Sequence, residues 1–283
     1  MARNYRAELV GVFGDPVDDN PTGVMEEAGF RAKGLNYRYI TAKVQPEALG
    51  AAIAGARAIH MKGFNLTMPH KVRVIPFLDG MSEAARIIGA VNTVYEENGL
   101  YIGENTDGKG FVEAMQMQGA PIEGKRIVLL GAGGAGKAIG VECALAGAKH
   151  ITVINRNRER GEDLARVIAE NTPCAAAYLP WEGTVKIPEC DILINATCVG
   201  LAPNASEKPD IDYDGIRPGM VVSDVVFNPE WPPFLREARA RGAKAITGLG
   251  MLVCQGARNF TLWTGEEAPF AAMFDALKGE FAS

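Results

Sequence analysis

The sequence predicts an α/β protein built of two units, and three observations carry that prediction. A glycine-rich turn, Gly131-Ala-Gly-Gly-Ala-Gly136, stands between an apolar run, Arg126-Ile-Val-Leu-Leu130, and a helix-compatible run, Lys137–Ala146. Short apolar runs alternate with helical spacing along much of the chain, the pattern of strands joined through helices. The length, 283 residues, suits one large or two ordinary domains.

The elements follow in order. Glu8-Leu-Val-Gly-Val-Phe13 reads as a strand and ends in the turn-rich stretch Gly14–Gly23. Tyr37–Lys43 alternates as a strand does. Pro46–Ala58 has helical spacing, with proline in the first turn, where its missing N–H costs nothing. Gly63–Thr67 is a third strand, ended by Met68-Pro69. Val91–Tyr95 and Leu100–Gly103 flank Glu97-Asn98-Gly99, a hairpin signal. A helix over 108–118 then leads into a second unit with strands at Arg126–Leu130, His150–Asn155, Ile192–Asn195, Val221–Val226 and Lys244–Thr247. Leu252–Trp263 and Pro269–Phe281 read as amphipathic helices. The expected division is an N-terminal α/β substrate domain over 1–108, completed by 250–283, and a doubly wound nucleotide-binding domain of Rossmann type over 109–249. A cleft between them would hold a small molecule.

The glycine turn matches the G-x-G-x-x-G dinucleotide fingerprint, whose context is a strand before and a helix after. Gly131 permits the turn, Gly133 lets backbone approach a pyrophosphate, and Gly136 lets helix and strand pack closely. Ala132, Gly134 and Ala135 complete the loop, and the amides of the helix start face the phosphates. A site for NAD places an acid at the end of the next strand. Here Asn155 is neutral and Arg156, Arg158 and Arg160 follow. A guanidinium grips a 2′-phosphate that a carboxylate would repel. The expected cofactor is therefore NADP(H), with NAD(H) possible, and Arg156 is the main contact with Arg158 or Arg160 in support.

Composition narrows the remaining classes. The formal net charge of −5 comes with no basic tract, which argues against a nucleic-acid partner. The five cysteines are scattered, and the three histidines form no ligand pattern, so no metal site is expected. Arg3, Arg6 and Glu8 interrupt any apolar leader, and no run is long enough to span a membrane. These features predict a cytoplasmic protein, monomeric or homodimeric.

Polar chemistry gathers in Asn65-Leu-Thr-Met-Pro-His-Lys71, Gly89-Ala-Val-Asn-Thr93, Gly103–Gly108 and Gly248–Gln255. Hydride exchange with an alcohol needs a group that moves the hydroxyl proton. A lysine can do so, and an aspartate can hold it. Lys71 and Asp107 could form such a pair; by spacing alone they read more readily as a solvated helix-start lysine and a helix N-cap.

With these motifs, and with Leu129–Ala135, Asn155-Arg156, Asn195-Ala-Thr197, Gly248-Leu-Gly-Met-Leu252, Gln255-Gly-Ala257 and Phe260–Gly265, the chain resembles the shikimate dehydrogenase family, most closely its quinate/shikimate branch. The resemblance covers essentially the whole chain. It implies reversible hydride transfer between NADP(H) and C3 of a cyclic polyhydroxy acid, as in aromatic amino acid biosynthesis. It also implies roles: Lys71 and Asp107 as the catalytic pair, and Thr67, Asn92 and Gln255 on substrate hydroxyls. Thr197, Gly248 and Met251 would lie at the cofactor.

The departures cluster on one function. Where the family carries two serines for the substrate carboxylate, this chain has Asp19-Asn20-Pro21-Thr22-Gly23. Asn20 and Thr22 can still donate, but Asp18 and Asp19 add negative charge. A family tyrosine that also serves the carboxylate is replaced by Phe227. Each hydrogen bond lost to a charged group costs about 1.5–3 kcal/mol, so two losses shift preference about a hundredfold or more. Two readings follow: an unchanged acid substrate, or a carboxylate-free cyclitol or amino-cyclitol. A non-catalytic NADP(H) sensor is a third reading, opposed by the presence of both Lys71 and Asp107. A methyltransferase is a weaker fourth.

Overall fold

The computed structural model describes residues 5–281; Arg3, used above against a leader, lies outside them. In chain order the N-terminal elements are β1 (Glu8–Gly14), α1 (Thr22–Lys33), β2 (Tyr37–Lys43), α2 (Leu49–Ala58), β3 (Gly63–Leu66), α3 (His70–Arg73), β4 (Gly80–Met81), α4 (Glu83–Ile88), β5 (Thr93–Glu97), β6 (Leu100–Glu104) and α5 (Thr106–Met117). There follow β7 (Arg126–Leu130), α6 (Gly134–Leu145), β8 (His150–Asn155), α7 (Arg158–Asn171), β9 (Ala175–Pro180), β10 (Val185–Lys186), β11 (Ile192–Asn195), β12 (Ile211–Asp212), β13 (Val221–Asp224), α8 (Pro233–Ala240) and β14 (Lys244–Ile246). The last helices are α9 (Leu249–Thr264) and α10 (Phe270–Glu280).

The chain divides into two compact units: one runs to Thr106 and resumes at Val253, and the other is Asp107–Leu252. These junctions, like the expected ones at 108/109 and 249/250 two or three residues away, fall inside the helices α5 and α9. No turn residue marks a division that a continuous helix crosses. Asp107 and Met251 consequently belong to the second unit, and Gln255 to the first.

The first unit is a mixed six-stranded sheet in the order β2-β1-β3-β5-β6-β4. β1 pairs in parallel with β2 and β3, and the β5–β6 hairpin is antiparallel. One apolar cluster gathers Phe13, Ile53, Phe64, Val91 and Tyr101, with Phe13 stacked on Phe64 at 4.8 Å. Elsewhere in the unit Phe30 of α1 stacks on Phe260 of α9 at 5.4 Å. Burying each such side chain stabilises the fold by about 1.5–3 kcal/mol. The Trp263 indole N–H donates to the Val94 carbonyl at 2.9 Å, tying α9 to the sheet.

The second unit is a six-stranded parallel sheet ordered β14-β13-β11-β7-β8-β9. The order reverses between β7 and β11, and a doubly wound sheet binds ligands beyond the carboxyl ends of its strands at such a point. Its strands are near-continuous apolar runs because both faces are covered.

Three elements differ from the sequence reading. Pro46–Ala48 is a short 3-10 turn, and the α-helix starts only at Leu49. The last two strands, β13 and β14, stop early, at Asp224 and Ile246. α1 begins inside the stretch taken for a turn, and a charged residue, Glu26, lies on its buried face with Met25, Gly29 and Phe30. That residue breaks the apolar periodicity by which a helix is recognised.

Candidate active site

In the first unit, Lys71 stands on α3 immediately after β3 and Pro69. Backbone bonds fix its setting: the Thr67 amide donates to the Phe13 carbonyl at 3.1 Å, Leu66 to Asn92 at 2.8 Å, and Val91 to the Lys71 carbonyl at 2.7 Å. His70 is fully buried, and its Nε2 lies 2.6 Å from the Val44 carbonyl, so that nitrogen carries the proton. Thr67, Lys71 and Asn92 are thereby held on adjoining, mutually bonded segments.

A buried polar network runs behind them. The Tyr39 hydroxyl donates to Asn65 Oδ1 at 2.8 Å, and Asn65 Nδ2 to the Thr93 hydroxyl at 2.6 Å. The Thr93 and Thr106 hydroxyls both donate to Asn259 Oδ1, at 2.9 and 2.8 Å. Asn259 Nδ2 donates to Gln255 Oε1 at 3.1 Å. Asn92 Oδ1 accepts the Thr106 amide at 2.7 Å, and Asn92 Nδ2 donates to the Thr106 hydroxyl at 3.0 Å. The sequence-predicted Asn92 and Gln255 are thus joined through Thr106 and Asn259, and Asp107 is the residue after Thr106. Such a network rigidifies a site when each member is satisfied. Tyr39, Asn65, Thr93, Thr106 and Asn259 were missed as site-supporting residues, although Asn65, Thr93 and Thr106 lie in the motifs singled out. A clue to Asn259 is its place one helical turn beyond Gln255.

Asn20 and Thr22 stand where α1 begins. Asn20 Oδ1 accepts the Thr22 amide at 3.0 Å, and Thr22 is buried, while Asp18 and Asp19 are exposed.

In the second unit the glycine loop divides into packing and open positions. Gly131 has φ of +101°, and a Cβ there would lie 2.8 Å from Thr197 Cγ2. A Cβ on Gly136 would lie 2.2 Å from the Gly131 carbonyl oxygen, so this glycine lets α6 close on β7. Gly133 and Gly134 are exposed, and a Cβ at either would meet nothing within 4 Å. That open backbone at the start of α6 fits a pyrophosphate. Ala132 is buried and donates its amide to Asn155 Oδ1 at 3.1 Å, which sets the loop against the end of β8.

Beyond β8 the Arg156 guanidinium stands over the Trp181 ring at 5.5 Å. Asn157 caps α7 by accepting the Arg160 amide at 2.9 Å, and the Arg156 and Arg160 side chains are exposed. Arg158 is paired with Glu162 at 2.7 Å, one turn along α7, which leaves Arg156 and Arg160 as the freer cations. No carboxylate ends β8, so these residues fit a 2′-phosphate.

Thr197 donates to Asn195 Oδ1 at 2.7 Å, and Asn195 Nδ2 donates to Asp224 Oδ1 at 3.0 Å. Burial pushes the Asp224 carboxyl up to about 7. A Cβ on Gly248 would lie 2.6 Å from two carbonyl oxygens, those of Val225 and Val226, so the chain here passes close to the end of β13. Met251 is half-buried on α9, and Phe227 is half-buried beyond β13. Among the described residues no cluster could hold a metal ion, and no helix is long and apolar enough to cross a membrane.

Three family descriptions match: Shikimate dehydrogenase substrate binding domain over 12–94, Shikimate / quinate 5-dehydrogenase over 113–202, and Shikimate 5'-dehydrogenase C-terminal domain over 248–278. A shikimate dehydrogenase (NADP(+)) of Desulforamulus reducens is 41% identical, covering 99% of this chain and 97% of that protein. The 5-ketofructose reductase of Gluconobacter sp. strain CHM43 is similar in structure at TM-score 0.94 and 43% identity, covering 98% of this chain and 100% of that one. A shikimate dehydrogenase solved with NADP+ follows at TM-score 0.91 and 38% identity, covering 99% and 98%. The Listeria monocytogenes shikimate 5-dehydrogenase, solved with shikimate and NAD, has TM-score 0.92 and 34% identity, covering 97% of each chain. These likenesses favour neither the sensor nor the methyltransferase reading. The chain belongs to the shikimate dehydrogenase family and is an oxidoreductase of that type.

Proposed function

We propose that the protein exchanges hydride reversibly between NADP(H) and C3 of a cyclic polyhydroxy acid, 3-dehydroshikimate/shikimate or quinate. The carrying observation is the bonded frame that holds Thr67, Lys71 and Asn92 together and reaches Gln255 and Thr106 through Asn259. On this reading Thr67, Asn92 and Gln255 hold ring hydroxyls, and Asn20 and Thr22 meet the head group that carries the carboxylate. Lys71 gives a proton to the oxygen formed on ketone reduction and takes it back in the reverse direction. Asp107 hydrogen-bonds the neighbouring hydroxyl.

The second unit fits the dinucleotide. Gly131, Gly133, Gly134 and the first amides of α6 hold the pyrophosphate, Arg156 and Arg160 the 2′-phosphate, and Thr197, Gly248 and Met251 the nicotinamide end. The bound nicotinamide supplies or accepts the hydride. NAD(H) is a possible substitute, as the Listeria relative was solved with it. Four of the five cysteines are buried, which suits a reducing cytoplasmic compartment. The protein would act there as a monomer or homodimer.

One set of observations favours a second reading, a substrate without the carboxylate. Asp18 and Asp19 are exposed beside the first-loop residues, Asn20 Oδ1 is turned onto backbone, and Phe227 offers no hydroxyl. A 43% identical neighbour is a 5-ketofructose reductase. Steady-state rates on shikimate, quinate, a carboxylate-free cyclitol and 5-ketofructose, each with the matching form of NADP(H), decide the matter. Fast turnover of shikimate at low concentration supports the acid. Turnover confined to the uncharged compounds supports the second reading, and none on any compound refutes both.

A further inference from the structure

Glu26 is a charged residue type sealed inside the first unit. Its exposure is 0%, and neither carboxylate oxygen has a hydrogen-bond partner. It lies one helical turn after Thr22, on the same face of α1. The Tyr39 hydroxyl, close enough to Thr22 to feel it, donates to Asn65 Oδ1 at 2.8 Å. On the other side, Glu26 Oε1 is 3.2 Å from the point where a Cβ on Gly256 would stand, and Gly256 follows Gln255. Glu26 therefore lies between Thr22, one of the residues standing where the family binds the substrate carboxylate, and Gly256, the neighbour of Gln255.

An ion pair does not account for it. Burial alone raises the Glu26 carboxyl, well above the usual carboxylate range. From β2 it faces Tyr39, whose own hydroxyl is raised by burial first and by Glu26 second. From α9 it faces Gly256, and from α1 Met25. The nearest charged groups in sequence have partners of their own: Glu27 accepts the Tyr39 amide at 2.7 Å and pairs with Arg31 at 3.9 Å, and Asp15 pairs with Lys43 at 3.4 Å. Arg258 on α9 and Asp275 and Lys278 on α10 contribute nothing to the rise, nor do Asp18 and Asp19. An isolated buried carboxylate costs so much that the group stays protonated.

We propose that Glu26 is a positioning residue that couples the charge of the substrate's head group to its own proton: the end of the pocket formed by Asn20, Thr22 and Tyr39 takes an anionic head group only while Glu26 is neutral, and takes an uncharged hydroxylated one in either state. The reason is electrostatic. An anion at Thr22 and an ionised Glu26 one turn below would be two like charges with little water between them, whereas a hydroxyl adds no charge. This rests on the proposed function only in locating the head group at Thr22.

Binding tests it without requiring turnover. Calorimetric affinities for shikimate and for a carboxylate-free cyclitol are measured on the full chain without nicotinamide cofactor, from mildly acidic to alkaline pH. In the natural protein the shikimate-to-cyclitol affinity ratio falls as pH rises, by about tenfold for each pH unit above the Glu26 titration. In Glu26→Gln, which has the shape of the neutral carboxyl and no proton to lose, the ratio stays flat. A flat ratio in the natural protein overturns the proposal on its own, should the variant fold poorly. The same slope in both proteins, or binding of neither compound, overturns it too. Binding with the expected slopes but no hydride transfer would leave the proposal standing and refute the proposed function.

Discussion

The two units build ligand sites in opposite ways. The nucleotide unit presents backbone: Gly133 and Gly134 lie open at the start of α6, and nothing within 4 Å of an added Cβ crowds them. The first unit presents side chains held by other side chains, from Tyr39 through Asn65, Thr93, Asn259 and Thr106 to Asn92. A backbone site needs only local geometry and tolerates changes around it. A side-chain network depends on elements far apart in the chain, so it specifies one arrangement and fails as a whole.

Five experiments break or sharpen that contrast. The largest effect is expected from Lys71→Ala, since a positioned proton-transfer group contributes about 10²–10⁴ in rate. Turnover should fall by that much while NADPH affinity, read by fluorescence titration, holds. Near-normal turnover would remove Lys71 from the chemistry.

Asp224 tests whether the nucleotide unit also stores cost in a buried side chain. Its carboxyl is raised to about 7, so the folded protein holds a proton that the unfolded chain releases near its ordinary value. The folded state therefore binds more protons between those limits. The Asp224 contribution to stability falls as pH rises from about 4 to about 7, and then levels. Expressed as natural protein minus Asp224→Asn, the melting temperature should decline across that window; a constant difference refutes the account.

Asn259→Ala removes the hub of the network, leaving the Thr93 hydroxyl without its acceptor and the Thr106 hydroxyl with only the longer bond to Asn92 Oδ1 at 3.3 Å. Each buried group so orphaned costs about 1–3 kcal/mol, so thermal stability should drop and the substrate KM should rise. An unchanged melting temperature would show that water replaces the amide. Arg156→Ala should weaken NADPH by about 1.5–3 kcal/mol, the cost of a charge-assisted bond, and spare NADH. Equal losses for both nucleotides would move the 2′-phosphate contact elsewhere.

The smallest effect on the fold is expected at Gly133. Gly133→Ala meets open space and should stay within about 0.5 kcal/mol of the parent in stability, while binding NADPH less well. Gly136→Ala places a Cβ 2.2 Å from the Gly131 oxygen and should cost about 1–3 kcal/mol of stability. Parallel melting and nucleotide titration of both variants separate packing from binding within one loop.

Legibility followed the same contrast. The glycine loop, β7, β8 and the missing acid at Asn155 could be read directly, because strand, turn and helix are contiguous there. Lys71, Thr67, Asn92 and Gln255 were read through family motifs, whose residues lie close together in sequence. α1 was missed because Glu26 interrupts its apolar face and two glycines weaken its helical signal. Short β4, β10 and β12 carry too few residues to show a period.

By itself the sequence determined the α/β class, the phosphate loop with its arginines, and the family of the chemistry. All of these rest on residues near one another in the chain, where propensity and spacing act. Only the tertiary structure decided that Asn259 joins Thr93 to Thr106, that Arg158 is tied to Glu162, and that Asp224 and Glu26 are sealed from water. Burial and long-range hydrogen bonding depend on which elements meet, and a carboxyl reads the same in sequence whether water or a methionine surrounds it.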